Sequence, residues 1–206
     1  MSVGSVPHVW LFLLPFLGAL ALLILAARFT VYRRPPGSLE DLAFLVRRVD
    51  VVELAALLDP QVPLKLRESL SEEAYRRELD THIRLVREYL SRVNHNVQVI
   101  QNWVAGEYPH MKGKYPEDYS RNERLVLEAL ETATELRIYA VAAQCKLWVW
   151  RVLRVDLWPA QHLPQVPNLG MLFGINLLVN YRRLTEITRT LSRNNSHGHQ
   201  LICEAL

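Results

Sequence analysis

Between Leu79 and Val104, apolar residues fall at Leu79, Ile83, Val86, Leu90, Val93, Val97, Ile100 and Val104. The steps alternate four and three, the heptad spacing of a helix with one continuous seam, as in a coiled coil. Leu85, Tyr89, Val99 and Trp103 widen the seam, so this helix needs more than one neighbour, as in a bundle. Arg76, Arg77, Arg84, Arg87, Glu88 and Arg92 occupy the opposite face. Ser69 or Ser71 caps its start, with Glu72 and Glu73 in the first turn, and Gly106 is expected to end it. Asn94-His95-Asn96 interrupts the apolar pattern; the triplet either fixes register or faces solvent.

A second long helix is predicted behind the capping box Ser120-Arg121-Asn122-Glu123 and runs to about Asp156. Its first half is amphipathic, with Leu125 or Val126, Leu130, Ala133, Leu136 or Arg137, and Ala140 inward. Its second half, Ile138 to Val152, is apolar on most faces, with Trp148 and Trp150 pointing to different sides. Lys146, Arg151 and Arg154 make it too charged to cross a bilayer, so it reads as the centre of the bundle or a subunit contact. Between the two helices, residues 107–119 carry Pro109, Gly113 and Pro116 and are expected to form a turn displaying Tyr108, Tyr115 and Tyr119. The pair is therefore a long antiparallel helical hairpin.

Shorter elements precede and follow it. Leu39 to about Arg48 reads as a short helix with Leu42, Leu45 or Val46, and Val49 inward, and Asp50 caps a second one ending before Asp59-Pro60. Gln61 to Ser69 reads as a connector with one helical turn. After a proline-rich connector at 158–167, a last helix is expected over about 169–193. Its first part is apolar, with Gly170 and Gly174 at a four-residue step. Core packing and contact of 169–181 with a membrane surface are the two readings. Residues 194–206 read as a tail.

The first thirty-six residues stand apart. Val9 to Ala27 is free of charge and, as a helix, spans about 28 Å, near the hydrocarbon thickness of a bilayer. No basic region precedes it, which argues against a cleaved signal peptide. Arg28, Arg33 and Arg34 follow it, and these three account for the whole formal net charge of +3. By the positive-inside rule, the N-terminus is outside and the C-terminal domain is cytoplasmic. The organisation expected is an anchor over 1–36, contacting lipid through 9–27, a cytoplasmic all-α bundle over 37–193, and the tail.

Charge and chemistry narrow the function classes. Outside the anchor the chain is balanced, whereas a nucleic-acid-binding domain carries its own basic excess. The two cysteines, Cys145 and Cys203, form no CxxC, so neither a disulfide framework nor a zinc pattern is present. No phosphate-binding, dinucleotide, hydrolase-elbow, zincin or kinase motif occurs. Two Glu-x-x-His motifs on facing helices, as in di-metal bundles, are lacking; the single one, Glu107 to His110, falls in the expected turn. Glu78 and His82 share a face, and Glu128, Glu131 and Glu135 read as a solvated acidic stripe.

The leading expectation is a non-enzymatic, single-pass membrane protein without a cofactor. Its helical domain binds other proteins, as an accessory or scaffold subunit, with homo-oligomers possible. Candidate contacts are Trp148, Trp150 and the three tyrosines. One alternative is haem or metal ligation by His82 or His95. Another is membrane-tethered nucleic-acid binding through Arg182, Arg183, Arg189 and Arg193.

Overall fold

The structure, a computed structural model, describes residues 39–114, 119–156 and 175–193, and the side chains at 41–106, 122–151 and 176–193. The expected anchor with Arg28, Arg33 and Arg34, the proline-rich connector, Gly170 and Gly174, Tyr115, and the tail lie outside them. Among the described residues every element is an α-helix and there is no strand. None of these helices is long and apolar enough to cross a membrane.

Three short helices come first: α1 (Leu39–Leu45), α2 (Val51–Leu57) and α3 (Gln61–Ser69). Two long ones follow, α4 (Glu72–Lys114) and α5 (Tyr119–Asp156), and α6 (Ile175–Arg193) returns along α5. Asp50 caps α2 as expected, its carboxylate accepting from the amides of Val52 at 2.9 Å and Glu53 at 3.0 Å. Asp59 accepts from the Gln61 amide at 2.9 Å, which starts α3. That connector is a helix of 9 residues, longer than the single turn expected, since Pro63 falls in its first turn, where no amide donor is required. Ser69 turns back on the Lys65 carbonyl at 2.8 Å, so Ser71 holds the capping position of α4, its carbonyl taking the Tyr75 amide.

The heptad seam does what its spacing demands. All eight positions from Leu79 to Val104 are buried, together with Tyr89, Val99 and Trp103. α1, α2 and α3 lie against α4 on one side and α5 on another. Leu85 is the exception: it is exposed. From α5 come Val126, Ala129, Ala133, Leu136, Ala140, Ala143, Leu147 and Trp150, and from α6 Leu177, Tyr181, Leu184, Ile187 and Leu191.

α4 does not stop at Gly106. It continues through Pro109 to Lys114, 43 residues or about 65 Å. A helix already nucleated and packed over about ten turns gains a bond for each further residue fixed. Gly106 costs about 1 kcal/mol against alanine, and Pro109 about 3 kcal/mol through its missing amide donor and its clash with the carbonyl four residues before it, yet the helix runs through both. Residues 107–114 and Tyr119, expected in the turn, are therefore helical. Tyr108 lies on α4 and Tyr119 opens α5, so these two are not on a loop.

Candidate functional site

Polar ties fix the bundle, and the first is built on the Asn-His-Asn triplet. The segment 46–50 between α1 and α2 is not helical, so its peptide groups need partners from elsewhere. Asn96, fully buried on α4, supplies them. Its Oδ1 accepts from the Arg47 amide at 2.8 Å, and its Nδ2 donates to the Arg47 carbonyl at 2.6 Å. The same Nδ2 donates to the Tyr181 hydroxyl of α6 at 2.9 Å. Next to it, His95 Nε2 lies 2.9 Å from the Leu45 carbonyl, and since a carbonyl only accepts, that nitrogen carries the proton. The triplet therefore sets register, one of its two readings. Burial pushes the Tyr181 hydroxyl above its usual value.

The second tie joins α2 to α4. The Tyr89 hydroxyl donates to the Glu53 carboxylate, and that bond, with burial, raises the phenol above its ordinary range. The Arg92 guanidinium lies 5.2 Å above the Tyr89 ring, a cation–π contact along the same helix.

The third tie joins α5 to α6 and corrects the reading of the acidic stripe. Glu128 accepts from Arg183 Nε at 2.7 Å, and Glu135 accepts from Asn180 at 2.9 Å. Two of the three stripe carboxylates thus face α6, since α6 packs antiparallel along the first half of α5. Arg183 is held there. Arg182 and Arg193 are exposed, and Arg189 is half-buried. Arg137 reaches from α5 to Gln101 on α4 at 3.1 Å, and burial lowers its pKa.

Among the described residues, no group of three or more His, Cys, Asp or Glu side chains is placed to hold a metal ion. His82 is half-buried, and desolvation lowers its pKa. Glu78 beside it is exposed, and His95 Nε2 is engaged by the backbone.

What stands out instead is the outer face of α5. Ile138 (55% exposed), Trp148 (58%) and Val149 (47%) lie in the open with Cys145, and Leu127 (57%) continues the line toward the N-terminus. Monomeric domains mostly scatter such residues singly, whereas here they recur along one helix face. The two tryptophans divide as expected, with Trp150 buried in the core and only Trp148 presented outward. On α1 and α2, Phe44 and Val52 are also exposed.

No family model, no curated protein and no solved structure matches this chain.

Proposed function

We propose that this chain is a non-enzymatic, single-pass membrane protein whose cytoplasmic helical domain binds other polypeptides, as an accessory or scaffold subunit of a membrane assembly. The observation that carries the reading is the outer face of α5, where Ile138, Trp148 and Val149 are exposed at the spacing of one helix face. The charge-free stretch from Val9 to Ala27, followed by Arg28, Arg33 and Arg34, supports the anchor and its orientation. Tethering to a bilayer confines the domain and its partners to one surface, which raises their effective concentration. Trp148 is the contact residue favoured here. The tyrosines at 108, 115 and 119 remain a second proposed contact.

Two measurements test this. Washing membranes at alkaline pH leaves an anchored protein in the pellet; release of the intact chain refutes the anchor. Affinity purification in mild detergent, followed by identification of co-purifying chains, reports the contact. Ile138→Asp is expected to remove those chains while leaving the helical content unchanged. Equal recovery with and without the substitution sinks the α5 face as the binding surface.

A further inference from the structure

We infer that the edge formed by α1, the 46–50 segment and the start of α2 lies in the headgroup layer of an anionic bilayer. Phe44 and Val52 enter the lipid, and Arg47 and Arg48 meet the phosphates. The inference rests on the reading of Val9–Ala27 as an anchor, and it adds a second contact with the same membrane. Phe44 (85% exposed) and Val52 (73%) are the two most exposed large apolar side chains among the described residues, and Leu45 is exposed as well. Leu42, Val49 and Leu54 from the same stretch are buried in the core. The apolar residues here are thus divided between holding the edge to the bundle and facing outward.

The charges sort in the same way. Arg47 and Arg48 are exposed, and no carboxylate of the described residues holds either of them. The nearby acids are turned to the protein. Asp50 accepts from the amides of Val52 and Glu53, Glu53 accepts from the Tyr89 hydroxyl, and Asp41 is engaged too. What remains outward is apolar tips beside two uncompensated guanidiniums, a composition that suits an anionic interface. Arginine can lay its stem along the acyl boundary while its fork takes phosphate oxygens. The edge is also set in advance. Asn96 holds the Arg47 backbone and His95 holds the Leu45 carbonyl, so docking orders little that is not already ordered.

The chain itself favours a bilayer over a polypeptide as the occupant. Residues 28–38 join the charge-free stretch to α1, and these eleven residues reach at most about 40 Å when fully extended. The start of α1 is therefore confined near the membrane surface, which presents lipid at high effective concentration. The joining residues carry Arg28, Arg33 and Arg34 and no acid, so anionic lipid does not repel the approach.

The test uses the full-length chain with Cys145→Ser and Cys203→Ser, and a fluorophore on Val52→Cys. It is reconstituted in phosphatidylcholine vesicles containing phosphatidylserine, with or without bromine on the acyl chains. Bromine is expected to quench the label at position 52 and to leave the same label on Arg87→Cys, on the charged back of α4, bright. Phe44→Asp, a change at an exposed position, is expected to abolish the quenching with circular dichroism unchanged. Arg47→Gln with Arg48→Gln is expected to reduce it to the level seen in phosphatidylcholine alone. A label at 52 as bright as that at 87, in a chain that resists alkaline washing, overturns the proposal and leaves the anchor standing. Quenching that persists undiminished in Phe44→Asp or in the arginine pair overturns it as well. So does a label at 52 that is shielded from aqueous iodide yet untouched by bromine, which gives the edge to a polypeptide. Release of the intact chain by alkaline washing removes the anchor and this contact together.

Discussion

α4 between Leu79 and Val104 and α5 between Leu136 and Arg151 are both rich in apolar residues, yet they hide them differently. In α4 the apolar positions form a seam with charge on its back, and every position of the seam is buried. In α5 the apolar residues go round the helix: Leu136, Ala140, Ala143, Leu147 and Trp150 enter the core, while Ile138, Trp148 and Val149 face outward. A seam tells where a helix meets its neighbours within the fold. Apolar residues beyond the seam do no such work, and their burial requires another surface. The two helices thus separate the residues that specify the fold from those available for contact.

Truncation is the sharpest way to break that distinction. Trp103→Ala removes a fully buried ring from α4 and is expected to cost about 3–5 kcal/mol of folding stability. Trp148→Ala on the outer face is expected to change it by less than about 0.5 kcal/mol. Chemical unfolding followed by far-ultraviolet circular dichroism measures both. A Trp148→Ala loss as large as that of Trp103→Ala would mean that the outer face belongs to the core.

Asn96→Leu comes next, at about 2–3 kcal/mol, because the part-buried bonds to the Arg47 amide and carbonyl and the buried bond to the Tyr181 hydroxyl are lost together. Hydrogen exchange at Arg47 reports the same event locally: its amide is protected only while Asn96 accepts from it. If Asn96→Leu leaves that protection intact, the segment 46–50 is held by packing and the carboxamide is incidental.

Periodicity made the hairpin legible before any coordinates, and it chose correctly among the eight seam positions because 3.5-residue spacing has few alternatives over seven turns. The polar ties were harder to read. Asn96 stood out as a break in the pattern, but its partners Arg47 and Tyr181 lie 49 and 85 residues away in sequence. Nothing local to Tyr181 marks it. Glu128 and Glu135 looked solvated because a stripe at helical spacing is blind to a third helix packed beside it. The extent of α4 beyond Gly106 was missed for a different reason: glycine and proline signal a local preference, whereas a long helix propagates cooperatively. The outward face of Trp148 was readable from its offset to Trp150, while the identity of what covers it was not.

The Glu128–Arg183 pair gives a smaller effect. Both side chains are substantially exposed, so a double-mutant cycle between Glu128→Gln and Arg183→Gln is expected to return a weak coupling that fades with salt. A coupling that survives high salt would make the α5–α6 tie a structural determinant comparable to the Asn96 knot.

The weakest effects are those of pH, and their signs differ between the two titrating groups on α4. Burial lowers the pKa of His82 below 6.5, so the unfolded chain binds the proton more readily than the folded one. Its contribution to stability is present above 6.5 and is lost as pH falls through the lowered folded value. Tyr89 runs the other way. The Glu53 carboxylate raises its pKa above 10.0, so its contribution is complete below 10.0 and disappears as pH climbs through the raised value. Unfolding midpoints taken in steps from about pH 8 to about pH 5 are expected to decline in the wild type and to decline less in His82→Gln. Because Tyr89 faces Glu53 across the α2–α4 contact, Glu53→Gln is expected to bring tyrosinate formation, followed by ultraviolet absorbance, to lower pH. An unchanged acid slope in His82→Gln would remove His82 as the source of that sensitivity.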